Sequence, residues 1–136
     1  MLDTIKIEQK VKSFFHNGGF VSASLLEEDV KPELPDGVVI LDLISEWHYP
    51  TYSKRKEIVK DLEYFDPIKL EISKNFTNYK FNYIASFLKS WRIRGPNIDE
   101  SGGPVEVENL PLDLVDIMYY GMDKIAQDAE ENLGKV

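Results

Sequence analysis

Residues 66–92 read DPIKLEISKNFTNYKFNYIASFLKSWR, and how this stretch folds decides what kind of protein the chain makes. Asp66-Pro67 has the form of a helix start, an N-cap aspartate followed by proline at the first helical position, where its missing N–H costs nothing. Beyond it Ile68, Ile72, Phe76, Tyr79, Tyr83, Phe87 and Trp91 recur about every 3.8 residues, with Ile84 and Leu88 widening the same face. The spacing predicts a single amphipathic helix of about 25 residues, roughly 37 Å long. The competing reading makes strands of residues 69–73 and 80–83, whose β-branched and aromatic content suits a pleated surface.

Working outward, Ser53 can cap a shorter helix whose apolar positions are Ile58, Val59, Leu62 and Phe65. Residues 4–16 place Ile7, Val11, Phe14 and Phe15 at helical spacing, with Thr4 as N-cap and Asn17-Gly18-Gly19 as a stop, so a short helix is expected there too. Residues 20–37 mix a small apolar run with two prolines and an acidic cluster and read as an extended connection over the core. Residues 38–44 stay open: Val38-Val39-Ile40-Leu41 has the β-branched density of a strand, while Ile40, Ile44 and Trp47 have helical spacing.

On the other side, Gly95-Pro96 closes the central element, and residues 95–109 carry three glycines, two prolines and four acidic residues, a long flexible loop. After Asn109, with Pro111 in the first turn and Asp113 near the helix N-terminus, Leu114, Val115, Met118, Met122 and Ile125 form the apolar face of a last helix. That helix is expected to fray into an acidic tail at 127–136. The fold expected from these readings is mainly α: one small helical domain over 1–136 with a long central helix and room for a few short N-terminal strands.

Composition excludes several classes of function. The 136 residues include 43% hydrophobic ones, enough for one core, and carry no cysteine, which removes disulfides, zinc–thiolate sites and thiol catalysis. Two separated histidines, His16 and His48, leave little for another transition-metal site. No window approaches the roughly 18 apolar residues of a membrane span, and the first ten residues lack the form of a signal peptide, so an intracellular, soluble chain is expected. The net charge of −8 is unevenly spread, from −5 over residues 1–52 through +5 over 53–94 to −8 over 95–136. Net acidity argues against nucleic-acid binding, because such a surface repels phosphates. The acidic ends either fold back over the basic centre or steer a partner's basic surface.

No catalytic constellation emerges. Asp99, Glu100, Glu106 and Glu108 lie in the acidic loop without a histidine or nucleophile beside them, and they lack the spacing of a calcium loop. The glycine pairs Gly18-Gly19 and Gly102-Gly103 have no following Lys-Ser/Thr and read as turns. The run from Trp47 to Tyr52 reads as core or lid in preference to a recognition surface. Trp91-Arg92-Ile93-Arg94 puts two guanidiniums at a helix end, and Met118 and Met122, with Tyr119 and Tyr120, make an adaptable apolar face. No cofactor or metal is expected, and the chain is read as a non-enzyme.

Phe87-Leu88-Lys89-Ser90-Trp91, then Gly102-Gly103-Pro104-Val105, then Asn109-Leu110-Pro111-Leu112-Asp113-Leu114 form a pattern that resembles the tail-assembly chaperones of long-tailed bacteriophages over residues 53–128. The first 50 residues add nothing to it, and Leu34-Pro35-Asp36-Gly37-Val38 departs from it. The resemblance implies a mainly helical protein without catalytic residues, whose relatives coat the tape-measure protein and help recruit tail-tube subunits. Phage tail proteins are then the expected partners, and the host cytoplasm the expected location. Trp91, Arg92, Arg94, Leu114, Val115, Met118 and Met122 are the expected partner-binding residues, and a homo-oligomer is compatible with the sequence. Two other readings stay open: a structural virion component such as a neck, tail-completion or baseplate protein, and an acidic nucleic-acid mimic that inhibits a host defence protein.

Overall fold

The computed structural model describes residues 4–26, 34–60, 63–74 and 76–134. Their chain order is β1 (Thr4–His16), β2 (Gly19–Leu25), β3 (Val38–His48), α1 (Tyr52–Lys60), β4 (Glu63–Asp66), β5 (Glu71–Lys74), α2 (Phe76–Phe87), β6 (Leu88–Gly95), β7 (Ile98–Gly102), a 3-10 turn (Glu106–Asn109) and α3 (Leu112–Gly134). Five strands form one antiparallel sheet in the order β2-β1-β3-β6-β7, and β4-β5 is a separate two-stranded hairpin. The expected mainly α fold is therefore corrected: a five-stranded antiparallel sheet organises the molecule, and helices dress it.

Period-2 alternation explains the sheet. In β1, Ile5, Ile7, Val11 and Phe15 turn to the covered face, while Lys6, Glu8 and Lys10 turn to the exposed one. Ile7, Val11 and Phe15 lie four residues apart, a separation that fits one face of a strand and one face of a helix equally well, and Phe14, the position that makes the spacing helical, is exposed on the opposite face. In β3, Val39, Leu41, Leu43, Ser45 and Trp47 face the core, which settles residues 38–44 as strand. Of the connection expected over 20–37, residues 20–25 belong to β2, and the acidic cluster at 27–33 lies outside the described residues.

The long central helix is the largest correction. Residues 66–92 divide into the end of a hairpin, the helix α2 and most of the strand β6. Asp66 does cap backbone donors, as its sequence context suggests. Its Oδ1 accepts the N–H groups of Ile68 at 2.9 Å and Lys69 at 3.3 Å. They belong to a turn, because the chain reverses and Glu71 pairs back with Asp66. Helix α2 passes into β6 with no intervening loop, so Tyr83, Phe87 and Trp91 keep their spacing and face one core from two different elements. Helix α1 ends at Lys60, and Thr51 stands at its start, with Oγ1 accepting the Lys54 N–H at 3.4 Å. Leu62 lies outside the described residues, and Phe65 belongs to β4.

Helix α3 forms where it is expected and runs to Gly134. Leu114, Val115, Met118 and Met122 press on the covered face of β1, β2 and β3. Asp113 Oδ2 accepts the Ala23 N–H at 3.0 Å, which fixes the start of α3 to the edge strand β2. The core is centred on Trp47, Phe87, Leu41, Leu43, Leu88, Met118 and Met122. The buried Trp47 indole donates to Ser45 Oγ at 2.8 Å, so neither polar atom is left unpaired under the helices. Among the described residues, no helix is long and apolar enough to cross a membrane.

Candidate functional site

Trp91, Gly102, Gly103 and Glu106 meet in space. Strands β6 and β7 are joined by a tight turn at Pro96-Asn97, and their register sets Trp91 opposite Gly102. The Trp91 indole donates to the Gly103 carbonyl at 3.0 Å. A Cβ on Gly102 would come within 2.8 Å of the indole ring and 2.9 Å of the Glu106 Cβ, so only glycine lets the strand lie this close. Glu106 accepts the Gly103 N–H at 3.0 Å, Val107 is buried, and Leu110 packs onto the core just before α3. Residues 95–109, expected as a flexible loop, are thus a hairpin strand and a 3-10 turn folded around one tryptophan.

Between α2 and α3 lies an aromatic cluster around Tyr83, whose ring meets Phe87, Trp47, Tyr79 and Tyr119 at centroid distances of 4.8–6.1 Å. Lys80 Nζ sits 2.8 Å from Asp116 Oδ1 and lies over the Tyr119 and Tyr120 rings at 5.6 and 5.0 Å. The hydrogen bond that Lys80 donates to Asp116 raises the ammonium's pKa above its ordinary value. Burial pushes the Tyr83 and Tyr119 hydroxyls up to about 12. This cluster locks two helices together, and Lys80, Tyr83 and Tyr119 in it stay protonated at neutral pH.

Of the predicted partner-binding residues, Trp91, Leu114, Val115, Met118 and Met122 are buried in the intramolecular core, so they form no exposed docking face. Arg92 and Arg94 do reach the surface, on the open face of the sheet. There Arg92 makes a bidentate pair with Asp99 at 2.9 and 3.0 Å, and its guanidinium holds the Asp99 carboxyl below the usual range. Four acidic residues of the C-terminal third, Asp99, Glu106, Asp113 and Asp116, have intramolecular partners, which leaves fewer carboxylates to imitate a phosphate array. The pairs Lys80–Asp116 and Arg92–Asp99 realise part of the expected fold-back of acidic ends onto the basic centre.

His16 lies at one end of β1 and His48 pairs with Thr4 at the other, so the histidines are separated by about 40 Å of strand. Among the described residues, no three of His, Cys, Asp and Glu gather as a metal site. A depression of about 560 Å³ lies on the outer side of α1 and is lined by Tyr52, Arg55, Lys56, Val59 and Lys60. Cations and apolar carbon line it, and none of these five supplies a nucleophile with its base. Trp47 is core, whereas Tyr49 and Tyr52 are exposed, so the aromatic run divides between the two readings given for it.

The feature that the helical reading hid is the β4–β5 tip. Ile68, Leu70 and Ile72 are 92%, 78% and 68% exposed, although the helical spacing of Ile68 and Ile72 predicts a buried stripe. The signal for the hairpin was already in the sequence, as Asp66-Pro67 is also a turn start, followed by the alternating Leu70 and Ile72. What this molecule displays is contact surface: an apolar tip, a cationic helix side and a sheet face of alternating charge. A scan against protein-family models found no matching family, and searches of curated proteins and of solved structures returned no significant match.

Proposed function

We propose that this chain is a non-enzymatic assembly factor of long-tailed bacteriophages, a tail-assembly chaperone that holds hydrophobic segments of a tail protein. The observation that supports the reading is the packed unit formed by Trp91, Gly102, Gly103 and Leu110, four residues of the pattern that resembles the family, with Glu106 closing it. The helical architecture that the resemblance implies is absent, so the reading rests on this C-terminal unit alone. Exposed apolar groups for partner contact come from Ile68, Leu70, Ile72, Tyr52 and Val59, because the Leu114–Met122 face is spent on the sheet.

The test is mass spectrometry of finished particles and of tail-assembly intermediates from a phage or prophage that encodes the chain. An assembly factor is found with immature tail components and leaves before maturation. Stoichiometric presence in finished particles makes it a structural subunit instead, and absence from both samples overturns a role in tail assembly.

A further inference from the structure

We propose that the chain associates with itself head to tail, the β4–β5 tip of one copy seating in a depression on the open sheet face of the next. This inference is independent of which tail protein is bound.

The tip is built to display side chains. Asp66 Oδ1 holds the Ile68 and Lys69 amides, which shapes the turn without help from the rest of the fold. Leu70 stands at φ +53°, in the left-handed region that glycine and asparagine favour. With its side chain 78% exposed, Leu70 contributes little burial to offset that strain. Two aliphatic side chains next to each other in water, one of them strained, mark a contact site.

The receiving surface follows from the register of β1, β2 and β3. Ser22 and Ser24 lie opposite Phe14 and Lys12, and Val38 lies opposite Phe14 on the other side. Small serines beside a large ring leave a depression of about 180 Å³, lined in part by Lys12, Phe14, Ser22, Ser24 and Val38. It has room for an aliphatic side chain the size of isoleucine or leucine. Charges match as well as shape. The tip has Asp66 and Glu71 at its base with Lys69 between them, which leaves it net acidic, while the cation Lys12 lines the depression. Carboxylates at the base of the tip repel an anionic bilayer, which disfavours a lipid surface as the occupant. Tip and depression are different surfaces, so the contact is heterologous and propagates into a ring or a filament.

Sedimentation velocity on the full chain, from micromolar to submillimolar concentration, tests this directly. The wild type is expected to gain mass with concentration. Leu70→Asn keeps the left-handed turn but removes the knob, and Ser22→Arg fills the depression from an exposed position. Each is expected to weaken association by roughly tenfold or more. Mixed together, they retain one complementary pair of surfaces and are expected to form 1:1 dimers that grow no further. A wild type that stays monomeric, a variant that associates as well as the wild type, or a mixture that stays monomeric overturns the proposal.

Discussion

Gly121 sits in the middle of α3, where alanine would ordinarily stabilise a helix by about 1 kcal/mol. Here the added Cβ would run into the side-chain amide of Gln9 on β1. Gln9 Nε2 donates to the Ile117 carbonyl at 3.0 Å, and its Oε1 is buried with no partner among the described residues. Pushing this amide aside breaks its one hydrogen bond in a part-buried place, at a cost of about 1–3 kcal/mol. Gly121→Ala is therefore expected to lower stability by about 1 kcal/mol in urea denaturation. Adding Gln9→Ala to Gly121→Ala should recover stability relative to the single variant, and additive losses would contradict the contact. The glycine was visible in the sequence, but its reason was not, because Gln9 and Gly121 are 112 residues apart.

At the scale of elements, the α2–α3 clamp makes the fold sensitive to alkali. Tyr83 and Tyr119 ionise near 10 when unfolded and only near 12 when folded, so the unfolded chain releases their protons first as pH rises. Lys80 has a raised folded pKa, and its contribution is complete below about 10.5 and lost above the folded value. All three signs agree. Stability should be level through neutral pH and fall by a few kcal/mol between pH 10 and 12. The part of the tyrosinate absorbance that Tyr83→Phe and Tyr119→Phe remove should rise together with unfolding, measured by circular dichroism on the same samples. An early rise of that part in a folded chain would mean that these two hydroxyls are not buried. Helix α3 was legible element by element because its buried positions, 114, 115, 118 and 122, repeat only at helical spacing. β1 and the stretch 66–92 were not, because spacings of four residues satisfy strand and helix alike.

Across the whole molecule, the sheet is built from distant pairings: β1 with β3, and β3 with β6 across residues 49–87. Such contacts form only after long loops close, so refolding is expected on the millisecond-to-second scale, slower than for a helical bundle of this size. Native-state amide exchange should show β3 protected to the global limit and the β4–β5 hairpin exchanging early, since the hairpin is a sheet of its own outside the five strands. Equal protection in both would mean that the hairpin is held by contacts other than its own pairing. By itself the sequence determined one core, a net acidic chain without cysteine chemistry, the position of α3, and the punctuation at 66–67 and 95–96. These are local or compositional properties, carried by charge, size and short-range backbone preference. Only the tertiary structure decided that residues 4–16 and 38–48 pair as strands, that Gly102, Gly103 and Glu106 close around Trp91, and that the Leu114–Met122 face is covered while Ile68 and Leu70 are bare. Each of these depends on which distant segment supplies the other half of a hydrogen-bond ladder or a buried face, and that partner is not encoded in local spacing.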